Sequence, residues 1–167
     1  HVYISGNNTI DADITNWSDV EEVEGQGHNT LHGNIGLMTK MKFLCVAGNA
    51  YFSGSPNIIL EYFSCDGTNI IGDISANINL YYLGVSGSSL TGSFALLNKM
   101  AHCYVPTGMT KPASIANMNQ LCRLEAPGTW IFSAAEVNQY LADLWANRDV
   151  ARIDNVTRII NLAGNAA

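Results

Sequence analysis

The sequence is poor in charge and especially in cations. Lysine and arginine together number 8, aspartate and glutamate 14, and only 13% of the 167 residues are charged, about half the share in typical soluble domains. So few cations argue against a nucleic-acid or anionic-membrane partner. A run of about 18 apolar residues is also missing, as is a basic stretch followed by an apolar one at the start. We therefore expect no membrane insertion and no signal peptide in this segment.

What the chain has in quantity is apolar residues, glycine and asparagine. Hydrophobic residues make up 47%, with 15 glycines and 18 asparagines, which is too apolar for a disordered chain. The length predicts one domain over residues 1–167. Residues 1–66 carry eight acids and two bases, so the net charge of −6 belongs to that part. We interpret its acidic run as a solvated face rather than a calcium or cationic-ligand site, and no DxDxDG-type loop supports calcium.

A repeat runs along the chain. Short apolar–x–apolar pairs recur, and seven of the eight are followed two residues later by glycine. Six of the seven spacings are 19 to 21 residues and the last is 36. This period is typical of solenoids, in which each coil packs mainly on its neighbours. The pairs are Val2/Ile4, Val23/Gly25, Leu44/Val46, Phe63/Cys65, Leu83/Val85, Cys103/Val105, Leu124/Ala126 and Ile160/Leu162.

The repeat resembles the leucine-rich repeat pattern, LxxLxLxxNxLxGxI, over essentially the whole chain. The copies that carry the resemblance are LEYFSCDGTNIIGDI, LYYLGVSGSSLTGSF, MKFLCVAGNAYFSGS and the terminal RIINLAGN. The stretch FSAAEVNQYLADLWANRD, followed by RIINLAGNAA, is similar to leucine-rich segments of phage structural proteins and bacterial surface proteins. The resemblance implies an α/β leucine-rich-repeat solenoid that binds through its concave face. It also favours a virion or bacterial cell surface as the location.

The alternation within each pair predicts short parallel strands, because every second side chain points inward. We expect about eight strands on the concave face. The 36-residue spacing contains Ser133 and Glu136 as a capping box, which predicts one C-terminal capping helix over about 133–147. This helix should pack on the convex side of the last coils. The side chains expected on its packed face are Val137, Tyr140, Leu141, Leu144 and Trp145.

Both ends of the chain resemble interior coils. Residues 1–4 already have the pattern of a repeat strand, and the chain stops just after the last one. Solenoids normally carry polar end caps. We therefore expect this chain to be a fragment or module of a larger protein, next to further domains of the parent chain.

The residues beside and between the apolar pairs are expected to face the concave surface. Aromatic residues concentrate there, and tyrosine combines contact area with a polar hydroxyl. An exposed aromatic patch rimmed by charge predicts a ligand-binding face, although strand propensity alone also favours aromatics there. Gly84 is expected to leave a dip that admits a sugar or a peptide side chain. The candidate ligand-binding residues are Phe43, Tyr62, Tyr81, Tyr82, His102, Tyr104, Glu61, Asp66, Arg123 and Glu125.

Signals for catalysis and metal binding are weak. No GxSxG, HExxH or P-loop motif occurs, and the histidines lack metal-ligand spacing to cysteine or aspartate. His28 and His32 share a turn that is expected near Asp11 or Asp13, and we favour solvated histidines over a metal there. Cys122 and His102 on adjacent strands suggest a Cys/His pair that lacks a third orienting group. We predict no catalytic, metal or cofactor site.

The four cysteines occupy two kinds of position in the repeat. Cys65 and Cys103 occupy apolar positions and are expected to be buried thiols, whereas Cys45 and Cys122 are expected on the concave side. Cys45 and Cys65 point to opposite faces, so we predict no disulfide.

Two functions remain open from the sequence. The first is a non-enzymatic recognition module that binds a protein or glycan ligand through the aromatic concave face. The alternative is a structural spacer or assembly domain of a virion or cell-surface fibre. A fold alone does not decide between them.

Overall fold

The chain folds into stacked coils of short parallel strands. A computed structural model describes residues 1–4, 11–25, 30–46, 49–65, 70–85, 89–106, 108–126, 128, 130–150 and 159–161. The strands in these ranges are β1 (Val2–Ile4), β2 (Asp11–Asp13), β3 (Glu22–Gly25), β4 (Thr30–Asn34), β5 (Phe43–Val46), β6 (Asn49–Ser53), β7 (Tyr62–Cys65), β8 (Ile71–Asp73), β9 (Tyr82–Val85), β10 (Ser89–Ser93), β11 (His102–Tyr104), β12 (Met109–Thr110), β13 (Arg123–Glu125) and β14 (Ile159–Asn161). Two 3-10 helices, Ile35–Leu37 and Phe94–Leu96, and one α-helix, α1 (Ala134–Ala146), complete the described elements.

Eight strands, one at each apolar pair, form a single parallel sheet in the order β1-β3-β5-β7-β9-β11-β13-β14. The other six form two parallel sheets of three strands, β2-β4-β6 and β8-β10-β12. The fold is therefore a parallel β-solenoid with a C-terminal helix. The expected number of about eight strands covers only the first sheet. The additional strands arise because segments such as LHGNI and LTGSF repeat with the same period, so that stacking aligns their backbones as well.

The inward columns form one continuous core. The first members of the apolar pairs from β3 to β13 are at most 1% exposed, and the residues three positions before those of β5 to β13 are at most 2% exposed. Burial of each large apolar side chain stabilises the fold by about 1.5–3 kcal/mol. The residues of these two columns are Val23, Leu44, Phe63, Leu83, Cys103 and Leu124, then Met41, Leu60, Leu80, Met100 and Leu121.

Three residues break the apolar columns, and each has a local reason. A Cβ at Gly25 would lie 3.4 Å from Leu31 Cδ1, which is ordinary van der Waals contact, so Leu31 borders the position without closing it. The Asn57 side-chain amide donates to the Met38 carbonyl oxygen at 2.6 Å, and Asn77 donates to the Asn57 carbonyl oxygen at 2.6 Å. The two asparagines therefore link equivalent positions of successive coils by hydrogen bonds.

Several coils have a turn that requires glycine, because successive coils approach closely there. Gly72 has φ +130°, and a Cβ on it would lie 2.4 Å from Ser55 Oγ and 3.0 Å from Ser55 Cα of the preceding coil. The next residue, Asp73, then accepts a hydrogen bond from the Ser75 backbone N–H at 2.7 Å. Of the glycines predicted to follow the strands, Gly128 lies within the described residues, with φ +65°. Positive φ also occurs at the equivalent turn glycines of other coils, Gly33, Gly54 and Gly92.

The predicted helix is confirmed. The Ser133 side chain and Glu136 form the capping box, and Asn147 is the C-cap of α1. No helix in the described ranges is long and apolar enough to cross a membrane. Tyr140 is fully buried, and Val137 and Leu144 pack partly against the core. The prediction that Leu141 and Trp145 lie on the packed face is wrong, because these side chains are 57% and 69% exposed.

The positions of Leu141 and Trp145 are explained by a polar row on α1, which consists of Glu136, Tyr140, Asp143 and Asn147. It hydrogen-bonds to the segment 111–116, which links β12 to β13, and so rotates Leu141 and Trp145 toward solvent. Asp143 belongs to this row and is only 6% exposed. The contacts are Glu136 to Lys111 at 2.6 Å, Tyr140 Oη to the Pro112 carbonyl oxygen at 2.6 Å, Asp143 to Ser114 Oγ at 2.7 Å and to the Ile115 N–H at 2.8 Å, and Asn147 to the Ala116 carbonyl oxygen at 2.9 Å.

Candidate functional site

The candidate site is the outer face of the eight-stranded sheet, the face opposite the core. Parallel strands pair without slippage, so equivalent residues of neighbouring coils lie side by side, about 4.8 Å apart. The first row on this face is Glu22, Phe43, Tyr62, Tyr82, His102, Arg123 and Ile159. The second row is Tyr3, Glu24, Cys45, Ser64, Gly84, Tyr104, Glu125 and Asn161.

Three rings of the first row stack into an aromatic ladder, formed by Phe43, Tyr62 and Tyr82. The ring centroids of Phe43 and Tyr62 are 4.3 Å apart with an interplanar angle of 19°. Those of Tyr62 and Tyr82 are 4.2 Å apart with an angle of 13°. Stacked pairs contribute about 0.5–1.5 kcal/mol beyond the area they bury. Both faces of the Tyr62 ring are therefore covered, and the ladder presents ring edges outward along its centre.

The remaining predicted aromatic residues flank the ladder. The Tyr81 ring meets Tyr62 edge-on at 5.8 Å and 63°. The rings of His102 and Tyr104 lie 5.7 Å and 6.3 Å from Tyr82, both tilted. The structure thus brings all six predicted aromatic and histidine side chains into one contiguous set.

Gly84 does not leave an open dip. The Tyr82 ring lies over it, because a Cβ at Gly84 would be 2.8 Å from Tyr82 Cε1. The missing side chain instead makes room for the ring to lie flat along its own strand. The expected subsite for a sugar or peptide side chain at Gly84 is therefore wrong.

The charged residues predicted beside the aromatics occupy different positions. Arg123 lies over the Tyr104 ring, 5.1 Å from guanidinium carbon to centroid, and donates to Glu125. Glu61 is exposed, and its charge adds to the effect of burial in raising the pKa of Tyr81. Asp66 lies outside the described residues.

Partial burial raises the pKa of several phenols and of one thiol on this face. Burial is the main cause that raises the pKa of Tyr62, and the neighbouring Tyr82 and Cys45 add to it. Burial also raises the pKa of Tyr104, with a smaller contribution from Tyr82. The pKa of Cys45 is raised first by burial and then by the charge of Glu24. These raised pKa values keep Tyr62, Tyr104 and Cys45 uncharged at neutral pH.

Two outer-face residues were missing from the predicted site. The Cys45 thiol hydrogen-bonds with Tyr62 and Ser64, which ties the second row to the aromatic ladder. Glu24 lies next to Cys45 in the same row. The signal for both was their position between the members of an apolar pair, where they share a column with Tyr104.

Cys122 does not face outward as expected. It is 1% exposed, and its thiol donates to the Gln120 carbonyl oxygen at 3.3 Å. Cys122 directly precedes β13. At the equivalent positions before other strands of the sheet, the small Ala101 is also buried, whereas the longer Lys42 reaches solvent. The predicted burial of Cys65 and Cys103 is confirmed, and all four cysteines are thiols.

The acidic part of the chain is engaged in ion pairs. Asp19 pairs with Lys40 at 2.7 Å and Glu21 with Lys42 at 2.8 Å, and each lysine lowers the pKa of its carboxyl partner. In the same part of the chain, His32 Nε2 lies 3.3 Å from Asp11 Oδ1, and His1 contacts Glu22. His28 falls outside the described residues. In the ranges that the structure describes, no three His, Cys, Asp or Glu side chains are grouped to hold a metal ion.

No protein-family model matches the chain, and no curated protein matches it significantly.

Proposed function

We propose that this chain is a non-enzymatic recognition module that binds a protein or glycan ligand through the outer face of its eight-stranded sheet. The observation that carries the proposal is the aromatic ladder of Phe43, Tyr62 and Tyr82 with its flanking Tyr81 and Tyr104. Rings preorganised by stacking lose little side-chain entropy on binding, which is why aromatic residues dominate the energetics of many interfaces.

We further propose that the coils are leucine-rich repeats of the kind found in phage structural and bacterial surface proteins. The LxxLxL columns support this, since their residues are buried from Met41 to Ala126. The resemblance in sequence is the basis for a virion or bacterial surface as the location. Binding through this sheet face is the role that such repeats imply.

A structural spacer or assembly domain is the second candidate. The unbroken eight-stranded sheet favours it, because a continuous parallel ladder joins the first coil to the last and makes the module stiff. In this role the aromatic ladder would only stabilise neighbouring strands. The two candidates differ in whether the isolated chain binds anything through that face.

The test uses the labelled chain on a glycan array and on an array of twelve-residue peptides. The outer-face variant is Y62A/Y82A. A matched control is L141A/W145A, which removes exposed apolar side chains from α1, away from the sheet. We expect the native chain and the control to bind a subset of spots. The outer-face variant should bind them at least tenfold more weakly, as hot-spot truncation of about 2 kcal/mol or more implies.

Two results would contradict recognition through this face. One is a native chain that binds neither array, which favours the spacer. The other is an outer-face variant that binds as well as the control while circular dichroism shows that both are folded.

A further inference from the structure

The two ends of the aromatic ladder differ in one respect. Beyond Tyr82, the Tyr104 ring is covered by the Arg123 guanidinium, which Glu125 holds in place. At the other end, Phe43 stacks on Tyr62 alone. Among the described residues, no lysine or arginine side chain lies over the Phe43 ring. One end of the ladder thus has a guanidinium over a ring, whereas no described lysine or arginine covers a ring at the other end.

The strand next to Phe43 carries carboxylates. On β3, Glu22 is in register with Phe43 and Glu24 with Cys45, so both side chains project on the same face as the ring. Glu22 contacts His1 and stays half exposed. On β13, at the opposite end of the ladder, the same two rows hold Arg123 and Glu125. The position that is a cation on β13 is therefore a second carboxylate on β3.

This arrangement complements a positive side chain. An ammonium or guanidinium over a ring face gains about 0.5–1 kcal/mol at an exposed site, which is a two- to fivefold gain in affinity. Adjacent carboxylates add hydrogen bonds that suit a guanidinium fork. A neutral sugar, by contrast, needs an open ring face for stacking, and the central Tyr62 has none.

We infer that the partner is a basic protein segment that places an arginine or lysine side chain over the Phe43 ring, beside the carboxylates of Glu22 and Glu24. Charge complementarity selects this partner, because residues 1–66 hold the whole net charge of −6. The molecule shows the same geometry internally, with Arg123 over Tyr104 beside Glu125. This inference rests on the proposed function and names its ligand class.

The test is an NMR titration of the intact chain. The probes are the peptide acetyl-Ala-Arg-Ala-Arg-Ala-amide and its citrulline counterpart, which has the same shape without the charge. We expect the arginine peptide to shift the ring resonances of Phe43 and the side-chain resonances of Glu22 and Glu24. It should bind at least fivefold more tightly than the citrulline peptide. Added salt should weaken it.

Two charge variants separate a local effect from a general one. E22Q/E24Q should bind the arginine peptide at least fivefold more weakly than the native chain. D19N/D149N removes the same number of charges from exposed positions off the outer face and should bind like the native chain. Equal binding of both peptides, no shift at Phe43, or E22Q/E24Q equal to D19N/D149N would overturn the inference.

Failure here is distinguishable from failure of the proposed function. If Y62A/Y82A loses binding on the arrays while E22Q/E24Q keeps it, the face recognises a ligand that is not basic, such as a neutral glycan. If neither variant changes binding on the arrays, recognition through this face is wrong as well.

Discussion

Asp143 on α1 is a buried carboxylate whose removal should destabilise the junction between the helix and the last coils. It accepts hydrogen bonds from Ser114 Oγ at 2.7 Å, the Ile115 N–H at 2.8 Å and Gln139 Nε2 at 2.8 Å. The change Asp143→Ala removes the acceptor oxygens of all three hydrogen bonds at once. Because Ile115 is 2% exposed, water cannot readily replace the lost partner of its N–H.

The size of the effect follows from these contacts. A buried donor left without an acceptor costs about 1–3 kcal/mol, and a hydrogen bond to a charged group contributes about 1.5–3 kcal/mol. Alanine returns roughly 0.5 kcal/mol through its better helix propensity. We therefore expect Asp143→Ala to lower the free energy of unfolding by about 1.5–3 kcal/mol. Asp143→Asn keeps one acceptor oxygen and should cost about half as much.

Urea denaturation followed by circular dichroism measures this difference, and hydrogen exchange locates it. The Ile115 amide should exchange faster in the alanine variant. Asp149→Asn is the control, because that carboxylate is 84% exposed and should matter by less than about 0.5 kcal/mol. An Asp143→Ala variant as stable as the control, with Ile115 exchange unchanged, would refute the role assigned to the polar row of α1.

Three further predictions concern the turns, the helix start and the ladder. Gly72→Ala should destabilise by about 1–3 kcal/mol in urea denaturation, because φ is +130° and Ser55 leaves no room for a Cβ. Glu136→Gln should reduce stability most above pH 4.5 and progressively less toward pH 2, because hydrogen bonds from a lysine and the helix cap lower the pKa of Glu136 from 4.5 to about 2; denaturation across that pH range measures the difference. Gly84→Ala should displace the Tyr82 ring, seen as a changed aromatic NMR spectrum, while stability changes by less than about 1 kcal/mol.

Each of these has a result that would contradict it. Gly25→Ala is the control for the turn glycine, since its Cβ would meet only ordinary contacts at 3.4 Å; equal costs would contradict the close approach of the coils. A Glu136→Gln deficit that persists unchanged to pH 2 would contradict the lowered pKa. Unaltered ring resonances in Gly84→Ala would show that Tyr82 does not lie over that glycine.

Much of the solenoid could be predicted from single residues and their spacing. The apolar pairs located all eight strands of the main sheet, and Ser133 with Glu136 located the start of α1. The six additional strands were missed, because their segments carry turn residues such as Gly72 and pair only once the coils are stacked. Leu141 and Trp145 were misplaced, because an apolar pattern does not register hydrogen bonds such as that of Asp143.

For the outer face, the sequence by itself determined which residues share it. When coils of nearly constant length stack in register, equivalent residues of successive coils become neighbours. Phe43, Tyr62 and Tyr82 are equivalent and therefore lie side by side. Only the tertiary structure decided that their rings stack face to face, that Tyr82 covers Gly84, and that Arg123 covers Tyr104. The physical reason is that alternation along a strand sets the face of a side chain, whereas its rotamer is set by contacts with residues about twenty positions away.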